Sequence, residues 1–176
     1  MRKLYSAILA LAICLTLLAP GAAASEETYS AMATNDAIVL SNSTDLPDAH
    51  LVHPAVYKIE GSNYFRLRDL AMLLRDSERQ FAVDYDAQTR TVTLRPGQPY
   101  APVGGELSGV AAAQTDALPS NDAVCIDCET LALTVYKIDG ANYFKLRDLG
   151  RALDFFVGYD GATQTVYLSG ARGYRE

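Results

Sequence analysis

Apolar and polar positions along the chain fall into one ordered series of signals, and the series occurs twice. Extended runs rich in β-branched and aromatic residues come first, "AVYKI" ending at Ile59 and "LALTVYKI" ending at Ile138. Glu60-Gly61 and Asp139-Gly140 punctuate a turn, the second pair being a strong hairpin signal. A short extended piece, Asn63 to Phe65, leads into a helix on which Leu67, Leu70 and Leu74 share a face with Ala71 beside them. Leu146, Leu149 and Leu153 repeat that stripe. Alternation follows: Phe81, Val83 and Tyr85 point one way, Ala82, Asp84 and Asp86 the other. After the turn "DAQTR", Val92 and Leu94 share a face in "TVTL"; the second copy writes "FFVGYD", "GATQ" and "TVYL". The pattern predicts an α+β fold of two small repeats, each one helix packed on a small antiparallel β-sheet of hairpins.

Fifteen residues make the duplication plain. "VYKIEGSNYFRLRDL" starts at Val56 and "VYKIDGANYFKLRDL" at Val135, 79 positions on (135 − 56). Only Glu60, Ser62 and Arg66 change, to Asp139, Ala141 and Lys145. Gly61 and Gly140 supply a backbone conformation that a Cβ penalises. Asn63 and Asn142 suit a turn, where an amide satisfies nearby backbone. Tyr57, Ile59, Phe65 and the leucines are core volume, and Tyr64, Tyr143 and Phe144 belong to the same structural motif. Arg68-Asp69, repeated as Arg147-Asp148, is the one pair with chemistry to offer. A functional reading makes the arginine an anchor for a carboxylate or a sugar. The structural reading is preferred: Asp favours the helix start, and Arg pairs with Asp86 or Asp160 on the neighbouring hairpin.

Boundaries follow from the gaps between these signals. Residues 1–24 read as a Sec-type signal peptide, with Arg2 and Lys3, an apolar run from Leu4 to Leu18, and Ala22-Ala23-Ala24 before Ser25. Residues 25–36 read as a disordered leader, 37–107 as the first repeat, 108–121 as an Ala- and Ser-rich linker and 122–176 as the second repeat. Between helix and hairpin the first repeat is five residues longer (11 − 6), and the charged stretch Arg75 to Gln80, in which the excess falls, reads as a solvated helix end or loop. Export removes two basic residues, moving the formal charge from −6 to −8, which disfavours nucleic acid as a partner. No stretch after the signal is apolar enough to span a bilayer.

Catalytic and metal-binding chemistry find little support. The second repeat has no histidine, and the Asp84–Asp86 pair becomes Gly158 and Asp160 in the other copy. A unit of this size has barely enough core to fold, let alone to enclose a dry cleft. Cys125 and Cys128 in "VCIDC" read as a local disulfide or two tolerated thiols near a hairpin turn; the thioredoxin-like and zinc readings fit the strand-like context and the spacing less well. "HLVH", with His50 and His53, reads as a solvated loop. No cofactor and no metal site are expected.

The segments "YKIEGSNYFRLRDLA", "FAVDYDAQTRTVTLRPGQPYAPVGGEL" and "YKIDGANYFKLRDLG...FFVGYDGATQTVYL" closely resemble the copper amine oxidase N-terminal-like domain. This is the stalk module found, often in tandem, in exported proteins of Gram-positive bacteria. The resemblance implies a compact fold with one helix against a small antiparallel sheet. It implies neither copper nor amine oxidation, since the oxidase's quinone and three histidine ligands belong to a separate large domain. The first repeat departs from the pattern in its opening, where "IVLSNSTDLPDAHLVHPAVYKI" is longer than "AVCIDCETLALTVYKI". The expectation is a secreted, non-catalytic tandem module at the cell envelope, serving adhesion, spacing or partner binding, with a cell-wall polymer or an extracellular protein as partner. The alternative is a carbohydrate or peptidoglycan binder using exposed tyrosines, with Tyr100 and Tyr174 ending the two repeats similarly; a secreted regulator of a partner enzyme is the third reading.

Overall fold

The computed structural model describes residues 27–43, 48–127 and 129–176. Residues 1–24, expected as a signal peptide, and Cys128 lie outside them. Fourteen strands and two helices are present among the described residues, seven strands and one helix from each repeat. The first repeat supplies β1 (Tyr29–Ala33), β2 (Ala37–Ser41), β3 (His50–Val52), β4 (Val56–Ile59), β5 (Ser62–Arg66), α1 (Leu67–Leu73), β6 (Phe81–Asp86) and β7 (Thr91–Pro96). The second supplies, in the same order, β8 (Gln114–Pro119), β9 (Ala123–Ile126), β10 (Glu129–Leu131), β11 (Val135–Ile138), β12 (Ala141–Lys145), α2 (Leu146–Leu153), β13 (Phe156–Asp160) and β14 (Thr165–Ser169). No described helix is long and apolar enough to cross a membrane.

These strands do not build two helix-on-sheet units, and the α+β expectation is corrected. The molecule is mostly β. Its centre is a closed six-stranded barrel, β1-β4-β5-β12-β11-β8, to which each repeat gives half. Two four-stranded sheets flank it, β10-β9-β7-β6 and β13-β14-β2-β3. In each, the opening hairpin of one repeat is added to the closing hairpin of the other: β2 runs parallel to β14, and β9 parallel to β7. Side-chain periodicity tells which face of a strand is buried; it carries no information on which strand lies alongside.

Two-fold relation between the repeats is written into the register. Phe65 lies opposite Phe144, its own counterpart in the echo, and Ser30 lies opposite Asp116, its counterpart at an offset of 86 (116 − 30). A residue facing its own copy is the signature of an isologous contact.

The expected leader and linker both contain barrel strands. Ala31 of β1 and Ala117 of β8 have no exposed surface and pack with Tyr57, Ile59, Tyr64, Tyr136, Ile138 and Tyr143. Facing four buried tyrosines, the two strands bury fully only Ala31 and Ala117, so both segments have the composition of a disordered tail. Tyr57 meets Tyr143 at 5.3 Å between ring centroids, and Tyr64 meets Tyr136 at 5.2 Å, both edge-on. "HLVH", expected as a loop, supplies β3 instead.

The other faces of the barrel strands, with Phe65 and Phe144, join a larger core that both repeats share. The helix stripes are buried as the leucine spacing predicts. Glu60-Gly61 and Asp139-Gly140 have positive φ at both residues (48° and 75°, 49° and 78°), the hairpin-turn geometry that favours glycine. The five-residue excess is not simply solvated: Ser77 is buried, the Arg79 backbone N–H donates to Gly170 O, and the Arg79 side chain bonds Asp154 at the end of α2.

Candidate functional site

The echoed polar residues meet their partners across a short distance in space and a longer one in sequence. Asn63 Nδ2 donates to Asp36 at 2.9 Å, and Lys58 Nζ lies 3.0 Å from the same carboxylate. In the second copy Asn142 Nδ2 donates to Asp122 at 2.9 Å, and Lys137 Nζ lies 3.3 Å away. Arg90 adds a further cation to Asp122 at 3.0 Å. Both aspartates are buried. Burial pushes their pKa values up, but the amide and cation bonds outweigh it and hold both carboxyls below the usual range.

Asn63 and Asn142 therefore clamp a carboxylate rather than close a turn. Asp36 and Asp122 had a sequence signal of their own, unread above: Thr34-Asn35-Asp36-Ala37 recurs as Ser120-Asn121-Asp122-Ala123, again 86 positions on (120 − 34). In each, the hydroxyl of the first residue accepts the aspartate N–H, fixing the turn into β2 or β9.

Each clamp forms one wall of a groove between the repeats. The first groove, of about 300 Å³, sets Asp122, Lys137 and Asn142 of the second repeat against Arg66, Arg68 and Tyr85 of the first. The second, of about 200 Å³, sets Asp36, Lys58 and Asn63 of the first repeat against Lys145, Arg147 and Tyr159 of the second. Every residue named for one groove has its counterpart in the other. Tyr85 and Tyr159 are 43% and 45% exposed, so each groove carries an open aromatic face beside its cations.

Arg68 and Arg147 line these grooves, and among the described residues neither pairs with Asp86 or Asp160 as the sequence suggested. Those two carboxylates instead close the hairpin turns: Asp86 accepts the Gln88 N–H at 2.8 Å, and Asp160 the Ala162 N–H at 2.9 Å. Both are held below the usual carboxylate range, Asp86 chiefly by the Gln88 N–H and Asp160 chiefly by the Thr163 hydroxyl. A local N–H two residues on is the nearest donor such a carboxylate has, and it wins over an arginine on another element.

Asp69 and Asp148 part company. Asp69 is fully buried and accepts from Arg66 Nε and from the Leu107 N–H, both at 3.0 Å. Arg66 also donates to Gly105 O at 2.6 Å. Residues 103–107 thus form an extra wall of the first groove, with Glu106 accepting from the Tyr100 hydroxyl at 2.7 Å and from the Val103 and Gly104 N–H groups. Those donors, the Tyr100 hydroxyl first, bring the Glu106 pKa down to about 2. Tyr100 is buried and Tyr174 half-buried against Arg151, so neither offers the open ring expected of it; Tyr85 and Tyr159 do.

The Cys125 thiol lies within reach of Val92 O and the Thr93 hydroxyl, while its pairing with Cys128 falls outside the described residues. Among the described residues no three His, Cys, Asp or Glu side chains gather into a metal-binding group, and the His50 ring bonds Asp48 O.

No family model, curated protein or solved structure matches the chain.

Proposed function

We propose that the chain, once exported, is a non-catalytic binding module at the cell envelope, gripping a cell-wall polymer or an extracellular protein through its two grooves. The observation that carries this reading is the duplicated groove itself, with Tyr85 and Tyr159 open beside Arg68 and Arg147. A repeated receptor surface suits a repetitive or bivalent partner, because two linked contacts multiply in effect. The groove carboxylates are poorly suited to proton transfer: Asp36 and Asp122 are ionised, buried and already bonded by cations and amides. The sequence likeness to stalk modules of exported Gram-positive proteins points the same way.

Open tyrosine faces favour a carbohydrate as the second reading, since a phenol ring stacks on a sugar; the absence of tryptophan weighs against it. Pelleting of the exported chain with isolated cell-wall sacculi tests the reading. Retention is expected, with a marked fall for Tyr85→Ala combined with Tyr159→Ala at unchanged circular dichroism. Undiminished retention in that double variant would remove the grooves as the site, and no retention at all would remove the wall polymer as partner.

A further inference from the structure

The two flanking sheets are copies of each other in register but not on their outer faces. Ile38, Leu40, Val157, Val166 and Leu168 turn inward and are buried, so the residues between them turn outward. Pairing then sets Gly158, Tyr167, Val39 and Leu51 side by side across β13, β14, β2 and β3. Tyr167 is 39% and Leu51 59% exposed. A Cβ on Gly158 would stand 3.0 Å from two atoms of the Phe156 ring, so that ring lies over the glycine and extends the row. The same positions of the other sheet hold Asp84, Thr93, Cys125 and Thr130. There Asp84 pairs with Arg95, and the Thr93 hydroxyl meets the Cys125 thiol. A fold that accepts a polar row at these positions does not require an apolar one, and contiguous exposed apolar side chains mark a contact surface.

We propose that this row is a track for a neutral glycan strand of N-acetylated amino sugars. The inference rests on the envelope reading above and adds a surface distinct from the two grooves. Four strands span roughly 14 Å, and neighbours on one face of a strand stand roughly 7 Å apart, so the track is long and one residue wide. Thr165 and Ser169 flank Tyr167 on β14, and Ala37 and Ser41 flank Val39 on β2; none broadens it. A protein partner needs about 800 Å² from each side for a stable interface, several times what such a strip offers. A linear sugar chain needs only a strip. The Phe156 and Tyr167 rings suit the apolar C–H faces of sugar rings, and Val39 and Leu51 suit acetyl methyl groups. Beyond Leu51 the track runs into a cleft of about 440 Å³ lined by Ala37, Pro54 and Val110, room for the next unit. The row carries no charge and sits on a chain of net charge −6, which turns away polyanionic strands.

A chitin tetrasaccharide, four linked N-acetylglucosamine units, is the probe, titrated calorimetrically into the whole exported chain. Saturable binding is expected, weakened about tenfold by Tyr167→Thr and severalfold by Leu51→Thr. The other sheet carries Thr93 and Thr130 at these positions, so both variants keep the native circular dichroism. Thr93→Ala on the polar face leaves the affinity unchanged. Cellotetraose, which lacks the acetamido groups, binds more weakly. Absence of saturable binding overturns the proposal, as does unchanged affinity in Tyr167→Thr or equal affinity for cellotetraose. Sedimentation showing a second copy of the chain over the row, released by Tyr167→Thr, overturns it as well. Failure here with groove-dependent sacculus retention intact removes the track and leaves the envelope reading standing.

Discussion

At the scale of single residues, the clamped aspartates set the acid side of stability. Asp36 and Asp122 have folded pKa values below their ordinary 3.8, and Glu106 falls from 4.5 to about 2. A depressed carboxyl contributes stability that is complete above its unfolded pKa and lost as pH falls through the folded one. The melting temperature should therefore be level down to about pH 5 and drop towards pH 2, and Asp122→Asn should start lower but fall less. Thermal scans across that range check both. Burial pushes Tyr64 and Tyr143 the opposite way, from 10.0 to about 12. For them stability is complete below the unfolded value and is lost as pH rises from 10 towards 12, so alkaline unfolding should coincide with the appearance of phenolate absorbance. Lys58→Met should cost about 2 kcal/mol in denaturant melts, less than for a fully buried pair because the lysine end is partly solvated.

At the scale of elements, the five-residue excess after α1 acts as a buttress. A Cβ on Gly170, just past β14, would meet Ser77 Oγ at 2.1 Å and Ser77 Cβ at 2.5 Å. Gly170→Ala should destabilise by about 1–3 kcal/mol, and Ser77→Gly in the same chain should recover part of that loss in denaturant melts, a coupling across the repeats. Helices and hairpins were legible in the sequence because Leu67, Leu70 and Leu74, or Val92 and Leu94, bury a face that their own spacing reveals. Strands β1 and β8 were not, because each buries fully only one alanine, Ala31 or Ala117, too small a residue to mark an apolar face. The pairing of β2 with β14 was not, because its hydrogen bonds are between backbones more than a hundred residues apart and leave no mark on side-chain type. The site was half visible: the echo displayed Lys58, Asn63 and Arg68, while Asp36 needed the shorter echo that precedes it.

At the scale of the whole molecule, the repeats are halves of one object. Residues 27–108 expressed alone should not fold as a monomer, because half of the barrel and β9, the parallel neighbour of β7, are missing. They should instead dimerise, placing Phe65 against Phe65 in the register that Phe65 and Phe144 now hold. Sedimentation and a melting temperature that rises with concentration would report it. The intact chain should unfold in one concentration-independent transition, since both flanking sheets draw strands from both repeats.

Phe65 facing Phe144 has a last consequence, for how such a molecule can change over time. A dimer of identical chains must carry identical grooves, and every substitution lands in both. Joining the copies end to end keeps the same contacts at high effective concentration while freeing each copy to drift by itself. One groove is lined by residues 103–107, and among the described residues no such segment lines the other. A tethered pair thus gains asymmetry without giving up the geometry that symmetry supplied.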